Sequence, residues 1–111
     1  MKKLVRQDII DILMNSGINA NKSNKIAGVL EISLARQATK KPGRSLIWEK
    51  STLSELEESL RIGANLTPSE ATKIIGEIVS TIKIQNDPEV KFLDAGTFEV
   101  APNALKFKRM L

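Results

Sequence analysis

The side chains best suited to chemistry in this sequence are two clusters of cations. The first cluster comprises Arg36, Lys40, Lys41, Arg44 and Lys50. The second cluster comprises Lys106, Lys108 and Arg109. Lysine and arginine neutralise phosphates, and so provide affinity for a nucleic-acid backbone that does not depend on base sequence. A second interpretation stays open for both clusters, because cations also complement a helix C-terminus and protect an exposed strand edge against aggregation.

Catalysis and metal binding find little support in the residue types. The chain has no histidine and no cysteine, so the commonest general base and the thiolate nucleophile are both missing. Several carboxylates lie near one another, but their spacing closes no ligand set: Glu55, Glu57, Glu58, Glu70 and Glu77. Neither glycine-rich nucleotide-binding pattern occurs. We therefore expect a protein that is not an enzyme and that binds no metal ion or cofactor.

Composition predicts one domain over residues 1–111, a length typical of a single hydrophobic core. Residues 1–50 hold ten Lys and Arg against four Asp and Glu, a net charge of +6, whereas residues 51–111 hold seven against nine, a net charge of −2. This asymmetry directs the search for a nucleic-acid-binding surface to the basic half. No apolar run approaches the ~18 residues of a membrane span. No signal-peptide pattern follows Met1, so we expect a cytoplasmic protein.

The basic half is expected to form a helical pair followed by a loop. Apolar residues at helical spacing predict a first helix over 4–15, which Gly17 ends by supplying a left-handed cap. A second helix is predicted to begin after Asn19 or Asn21 and to continue to about Thr39.

Two interpretations stay open for the apolar part of the loop at 43–50. Residues 46–48 predict either a short strand or an apolar plug. Trp48, the only tryptophan, either stacks on a base, anchors an interface or covers a small core.

The second half begins with another helical pair. Ser51 or Thr52 is expected to cap a helix that continues to about Ile62. A T-x-x-E capping box from Thr67 to Glu70, with a proline in the first turn, predicts the start of the next helix. Isoleucines at spacings of three and four give this helix one apolar face. The repeated order of helix, turn and helix suggests a weak internal repeat, although general capping rules also produce it.

Alternating apolar residues predict a β-ribbon after these helices. Val90 and Phe92 precede a turn at 94–97, and Phe98 and Val100 follow it. The three phenylalanines of the chain are expected in the core.

The last residues predict a third strand. A tight turn at 102–103 leads into a strand over 104–110, in which Leu105 and Phe107 face inward while the two lysines face outward. The expected fold class is α+β, with two helical hairpins packed on a small antiparallel sheet of about three strands.

Three segments carry a resemblance to a known family. They read T-x-x-E-L-x-x-S-L at 52–60, L-T-x-x-E-A-T-K at 66–73 and V-K-F-L-x-x-G-T-F-E-V at 90–100. In these residues the chain resembles the HU/IHF family of bacterial histone-like DNA-binding proteins. The resemblance implies a bacterial or phage protein with two helices on a small sheet. It also implies an intertwined dimer that grips and bends DNA with two long β-arms.

The chain departs from that family after Val100. Family members continue into a basic arm whose R-N-P tip wedges a proline between base pairs, and no R-N-P occurs here. The leading hypothesis is a small non-catalytic DNA-associated protein that binds DNA backbone non-specifically through its basic patches, without bending it. The alternative is a protein-binding adaptor or inhibitor that keeps the scaffold. Either protein could form a homodimer, and DNA binding would imply association with the nucleoid.

Overall fold

The protein is an α+β fold of four helices and one mixed sheet, seen in a computed structural model that describes residues 2–109. The elements are β1 (Lys2–Leu4), α1 (Arg6–Asn15), α2 (Ala20–Thr39), β2 (Ser45–Ile47), α3 (Lys50–Gly63), α4 (Pro68–Ile84), β3 (Glu89–Phe92), β4 (Gly96–Ala101) and β5 (Ala104–Arg109). A single 3-10 turn at Pro42–Arg44 joins α2 to β2.

The sheet has the strand order β1-β3-β4-β5-β2. Its centre is the antiparallel meander of β3, β4 and β5, which the alternating pattern predicted. In this meander Phe98 pairs with Val90 on one side and with Phe107 on the other. The edge strands differ in direction, since β2 is antiparallel to β5 and β1 is parallel to β3.

The expectation of about three antiparallel strands is wrong, because two edge strands were missed or left open. Residues 2–4 belong to β1, so the first helix begins at Arg6 and not at residue 4. The carboxylate of Asp8 fixes this start by accepting a hydrogen bond from the Val5 N–H at 2.8 Å. Residues 45–47 form β2, so of the two interpretations left open for residues 46–48, the short strand is the one observed. The predicted end of the last strand, Met110, lies outside the described residues.

The other helix boundaries follow their caps. The side chain of Asn19 accepts a hydrogen bond from the Lys22 N–H at 2.8 Å, which confirms the earlier of the two predicted starts of α2. The third helix starts at Lys50, so both predicted capping residues lie inside its first turn. The hydroxyl of Thr52 instead donates to the carbonyl of Ile47 at 2.8 Å and ties the helix to the end of β2.

The core lies between the helices and one face of the sheet. Phe92, Phe98 and Phe107 are fully buried, with ring centroids 5.4 Å and 5.0 Å apart in succession. The isoleucines of α4 that face inward belong to the same core. Trp48 lies edge-on to Phe98 at 5.6 Å and partly covers this core, so the core interpretation of this tryptophan is confirmed.

Gly96 lies where the sheet leaves no room for a side chain. A Cβ atom at this position would lie 2.2 Å from the carbonyl oxygen of Lys108 and 2.7 Å from the ring of Phe107. At Gly76, on the exposed side of α4, a Cβ atom would meet nothing within 4 Å.

We expect opposite results from the same substitution at these two glycines. Gly96→Ala should lower the free energy of unfolding by about 1–3 kcal/mol, since the added methyl forces β4 and β5 apart. Gly76→Ala should raise it by about 0.5–1 kcal/mol, since alanine loses less backbone entropy in a helix. Urea unfolding followed by circular dichroism measures both. A neutral Gly96→Ala variant would show that the observed pairing of β4 with β5 is wrong.

The predicted capping box at the start of α4 is confirmed. The Thr67 N–H donates to the Glu70 carboxylate at 3.0 Å, and the Glu70 N–H donates to the Thr67 hydroxyl at 3.2 Å. The hydrogen bond from the backbone of Thr67, followed by the one from its side chain, lowers the pKa of Glu70 below its ordinary value of 4.5.

This shift predicts a pH-dependent difference between the protein and its Glu70→Gln variant. A carboxyl whose pKa is lower in the folded chain adds stability above its unfolded pKa, and this contribution is lost as the pH falls through the folded pKa. Thermal unfolding should therefore show the variant less stable at neutral pH and equal to the parent in acid. A gap that stays constant down to acid pH would contradict this account.

Candidate nucleic-acid interface

The first predicted cation cluster lies where α2 ends and the chain turns back to the sheet. Arg36 is in the last turn of the helix, and Lys40 is its C-terminal cap. Lys41 follows, and all three side chains are exposed. Cations at this position complement the partial negative charge of the helix end, so part of their positive charge is already balanced.

The turn at 42–44 holds Arg44 against the end of the helix. The Arg44 N–H donates to the carbonyl of Lys41 at 3.0 Å, and Gly43 has φ 64°. A positive φ at the third residue, supplied here by Gly43, departs from 3-10 geometry and is what a type II turn requires. The next residue, Arg44, also has a positive φ of 56°, which is unfavourable for a residue with a Cβ atom. Its side chain is half-buried, and Nε is buried with no hydrogen-bond partner within residues 2–109.

The second predicted cluster lies on β5 and meets the first. The guanidinium of Arg109 donates to the hydroxyl of Thr39, in the last turn of α2. Lys108 pairs across the sheet with Ser45, the residue that follows Arg44. Lys106 pairs with Ile47, and together with Lys41 it lines a surface depression of about 330 Å³ beside β2. The fold therefore brings residues about 65 positions apart to one corner of the molecule, with Arg109 on the helix side of the sheet and Lys106 and Lys108 on its outer face.

We call this area the basic surface. Its seven members are Arg36, Lys40, Lys41, Arg44, Lys106, Lys108 and Arg109. The remaining predicted cation, Lys50, is not in the loop where we expected it but is the first residue of α3. It is exposed and does not line the depression, whereas the acidic Glu49 does. Lys50 is thus less closely integrated into this surface than the seven members.

The charges of the basic surface are not neutralised by carboxylates nearby. Ion pairs elsewhere join Arg6 to Glu31 at 3.8 Å and Lys22 to Glu70 at 3.9 Å. Within residues 2–109, none of the seven members forms an ion pair. One acid comes close in register, since Glu99 is the cross-strand partner of Lys106. Of the three members on β5, Lys108 and Arg109 have no acidic cross-strand partner.

Two candidate cations were missed by the sequence analysis. Lys3 and Lys91 are cross-strand partners on the same outer face of the sheet as Lys108. The alternation of Val90 and Phe92 around position 91 already indicated that Lys91 points away from the core. Nothing in the sequence signalled Lys3, because β1 is too short to show a period.

Within residues 2–109 no group of three or more acidic side chains is arranged to hold a metal ion. No helix in this range is long and apolar enough to cross a membrane.

The conformation of Arg44 predicts a gain in stability when the side chain is removed. Arg44→Gly should raise the free energy of unfolding by about 0.5–1 kcal/mol. A non-glycine residue at positive φ is strained by ~1–2 kcal/mol. Glycine relieves this strain, but it loses more backbone entropy on folding, which offsets part of the gain in stability. Urea unfolding measures the change. A loss of more than about 1 kcal/mol would show that packing of the half-buried side chain outweighs the strain.

No family model, no curated protein and no solved structure matches this sequence or its fold.

Proposed function

We propose that this protein binds the phosphate backbone of duplex DNA through the basic surface, without reading base sequence. The observation that carries the proposal is the meeting of two separate cation clusters at one place. Arg109 reaches Thr39 at the end of α2, and Lys108 lies beside the strand that follows Arg44. A cluster needed only to complement the helix end would not require the cations of β5.

The distribution of charge supports a backbone ligand over a small anion. The members of the basic surface lie on a helix end, a turn and a strand, and five of the seven are exposed. Phosphates along a duplex are extended in the same way, and each neutralised phosphate releases counterions. Lys106 should contribute least, because Glu99 faces it across the strands.

The order of the elements also agrees with what the HU/IHF resemblance implies. Helices α3 and α4 are followed by the antiparallel meander of β3, β4 and β5. The family's arm would leave this meander after β4, but here β4 and β5 are joined by the turn at 102–103. With no arm and no wedging proline, we expect DNA to be bound without a sharp bend.

A protein partner is the second candidate function, and exposed apolar side chains favour it. Ile32 on α2 and Ile62 on α3 are 59% and 77% exposed. The two helices meet at Val29 and Gly63, beside these isoleucines in the chain. A contiguous apolar patch formed by these two side chains would mark a protein-binding surface.

We expect charge reversal in the basic surface to abolish duplex binding. The triple variant Lys40→Glu, Lys41→Glu, Arg44→Glu should lose affinity for a random duplex of about 20 base pairs in fluorescence anisotropy. For the parent protein, the logarithm of affinity should fall linearly with the logarithm of salt, by about 0.9 for each phosphate contacted.

A control with the same change in charge separates position from net charge. Lys25→Glu, Lys73→Glu, Lys83→Glu alters three exposed helical lysines, and both triples change the net charge from +4 to −2. The control should retain most of the duplex affinity. Equal losses in both triples would mean that overall charge, and not the basic surface, attracts DNA. If the parent protein fails to bind even at low salt while a discrete protein partner is captured, the second candidate function replaces the first.

A further inference from the structure

The outer face of the sheet carries a row of polar side chains that crosses every strand. The strand register makes its members successive cross-strand partners: Lys3, Lys91, Thr97, Lys108 and Ser45. The three lysines and Thr97 can each donate a hydrogen bond to a phosphate oxygen, whereas the Ser45 hydroxyl donates to the carbonyl of Gly43 at 3.4 Å. We call this set the donor row.

The donor row is partly accessible: Lys91, Thr97 and Ser45 are half-buried, and Glu31 and Asp94 line a depression beside Lys3. The core lies on the opposite face of the sheet, and the outer side chains of both Lys3 and Lys108 are exposed. None of the three lysines forms an ion pair within residues 2–109. Lys3 and Lys91 are directly opposite each other, and like charges in this position are unfavourable. An anion bound between them would remove this repulsion.

The neighbouring row on the same face is mixed in charge, since it continues from Glu89 and Glu99 to Lys106. Glu89 and Glu99 are direct cross-strand partners, and each lies two residues along its strand from a member of the donor row. Two residues along a strand correspond to about 7 Å. On this side the donor row is therefore bordered by acids on β3 and β4 and by Lys106 on β5.

We propose that the donor row binds a single-stranded nucleic-acid backbone, laid across the strands. From Lys3 to Lys108 the row spans three interstrand spacings, or about 14 Å, which accommodates two to three successive phosphates of one strand. A duplex on this face would set its second strand over Glu89 and Glu99. The site goes beyond the duplex-binding surface, since only Lys108 belongs to both.

The outer face of the sheet, within residues 2–109, has no aromatic side chain on which a base could stack. The tryptophan and all three phenylalanines belong to or pack against the core on the other side of the sheet. Stacking on aromatic side chains is the usual source of strong single-strand affinity. Binding at the donor row therefore rests on phosphate contacts and is modest, salt-sensitive and independent of base sequence.

The test compares two ligands and two neutralising variants. A labelled mixed-sequence DNA strand of about 12 nucleotides and a duplex of about 20 base pairs are titrated with the parent, with Lys3→Gln/Lys91→Gln, and with the matched control Lys25→Gln/Lys73→Gln. The donor-row variant should weaken single-strand binding and reduce its salt slope by about 1.4, or 0.7 for each lysine. Its duplex affinity and the single-strand affinity of the control should equal those of the parent.

A second variant tests the row without changing charge. Thr97→Val replaces a hydroxyl by a methyl group at nearly constant volume. It should lower single-strand affinity severalfold, because a hydrogen bond is lost. The salt slope should stay unchanged, because every contact between a cation and a phosphate remains.

The remaining outcomes separate this inference from the proposed function. Duplex binding through Lys40, Lys41 and Arg44, with single-strand affinity that Lys3→Gln/Lys91→Gln leaves unchanged, overturns the donor row alone. Equal losses on both ligands overturn its assignment to a single strand. Failure of the parent protein to bind either ligand at low salt overturns both proposals.

Discussion

The arrangement of this protein depends on one contact, the packing of Phe98 between Phe92 and Phe107 in the middle of the sheet. These three buried rings fix the register of β3, β4 and β5, because each ring must reach the core from the same face. A shift of one residue would turn every side chain of a strand to the other face. Gly96, the first residue of β4, reinforces this register, because the backbone of β5 lies too close there for any side chain.

Both proposed binding surfaces are consequences of this register. With Phe107 inward, Lys106 and Lys108 must face outward, and Lys91 does so for the same reason beside Phe92. The same register brings Arg109 to the end of α2, where its guanidinium meets Thr39. Cations from distant parts of the sequence thus become neighbours because an apolar core aligns their strands.

The sequence predicted the parts of the fold that have strong local signals. The capping box of Thr67 and Glu70 located the start of α4, and alternation around Phe98 located the central hairpin. The edge strands β1 and β2 have three residues each, too few to display a period. Their places in the sheet come from tertiary pairing, which no local pattern encodes.

The residues of the candidate site could be identified from the sequence, but their spatial arrangement could not. All seven cations of the basic surface were recognised from charge alone, but their meeting depends on how α2 packs against β5. Nothing in the sequence predicted the positive φ of Arg44, since glycine or asparagine is expected in that conformation. Lys3 was missed because β1 is too short to show a period, and its last residue, Leu4, was assigned to the first helix.

Mapping of amide chemical shifts during titration with duplex DNA tests the central claim most directly. Binding at the basic surface predicts that the largest changes fall at 39–45 and 106–109, while the amides of α1 and α4 change little. Changes concentrated on α1 or α4, or no change at low salt, would contradict the account.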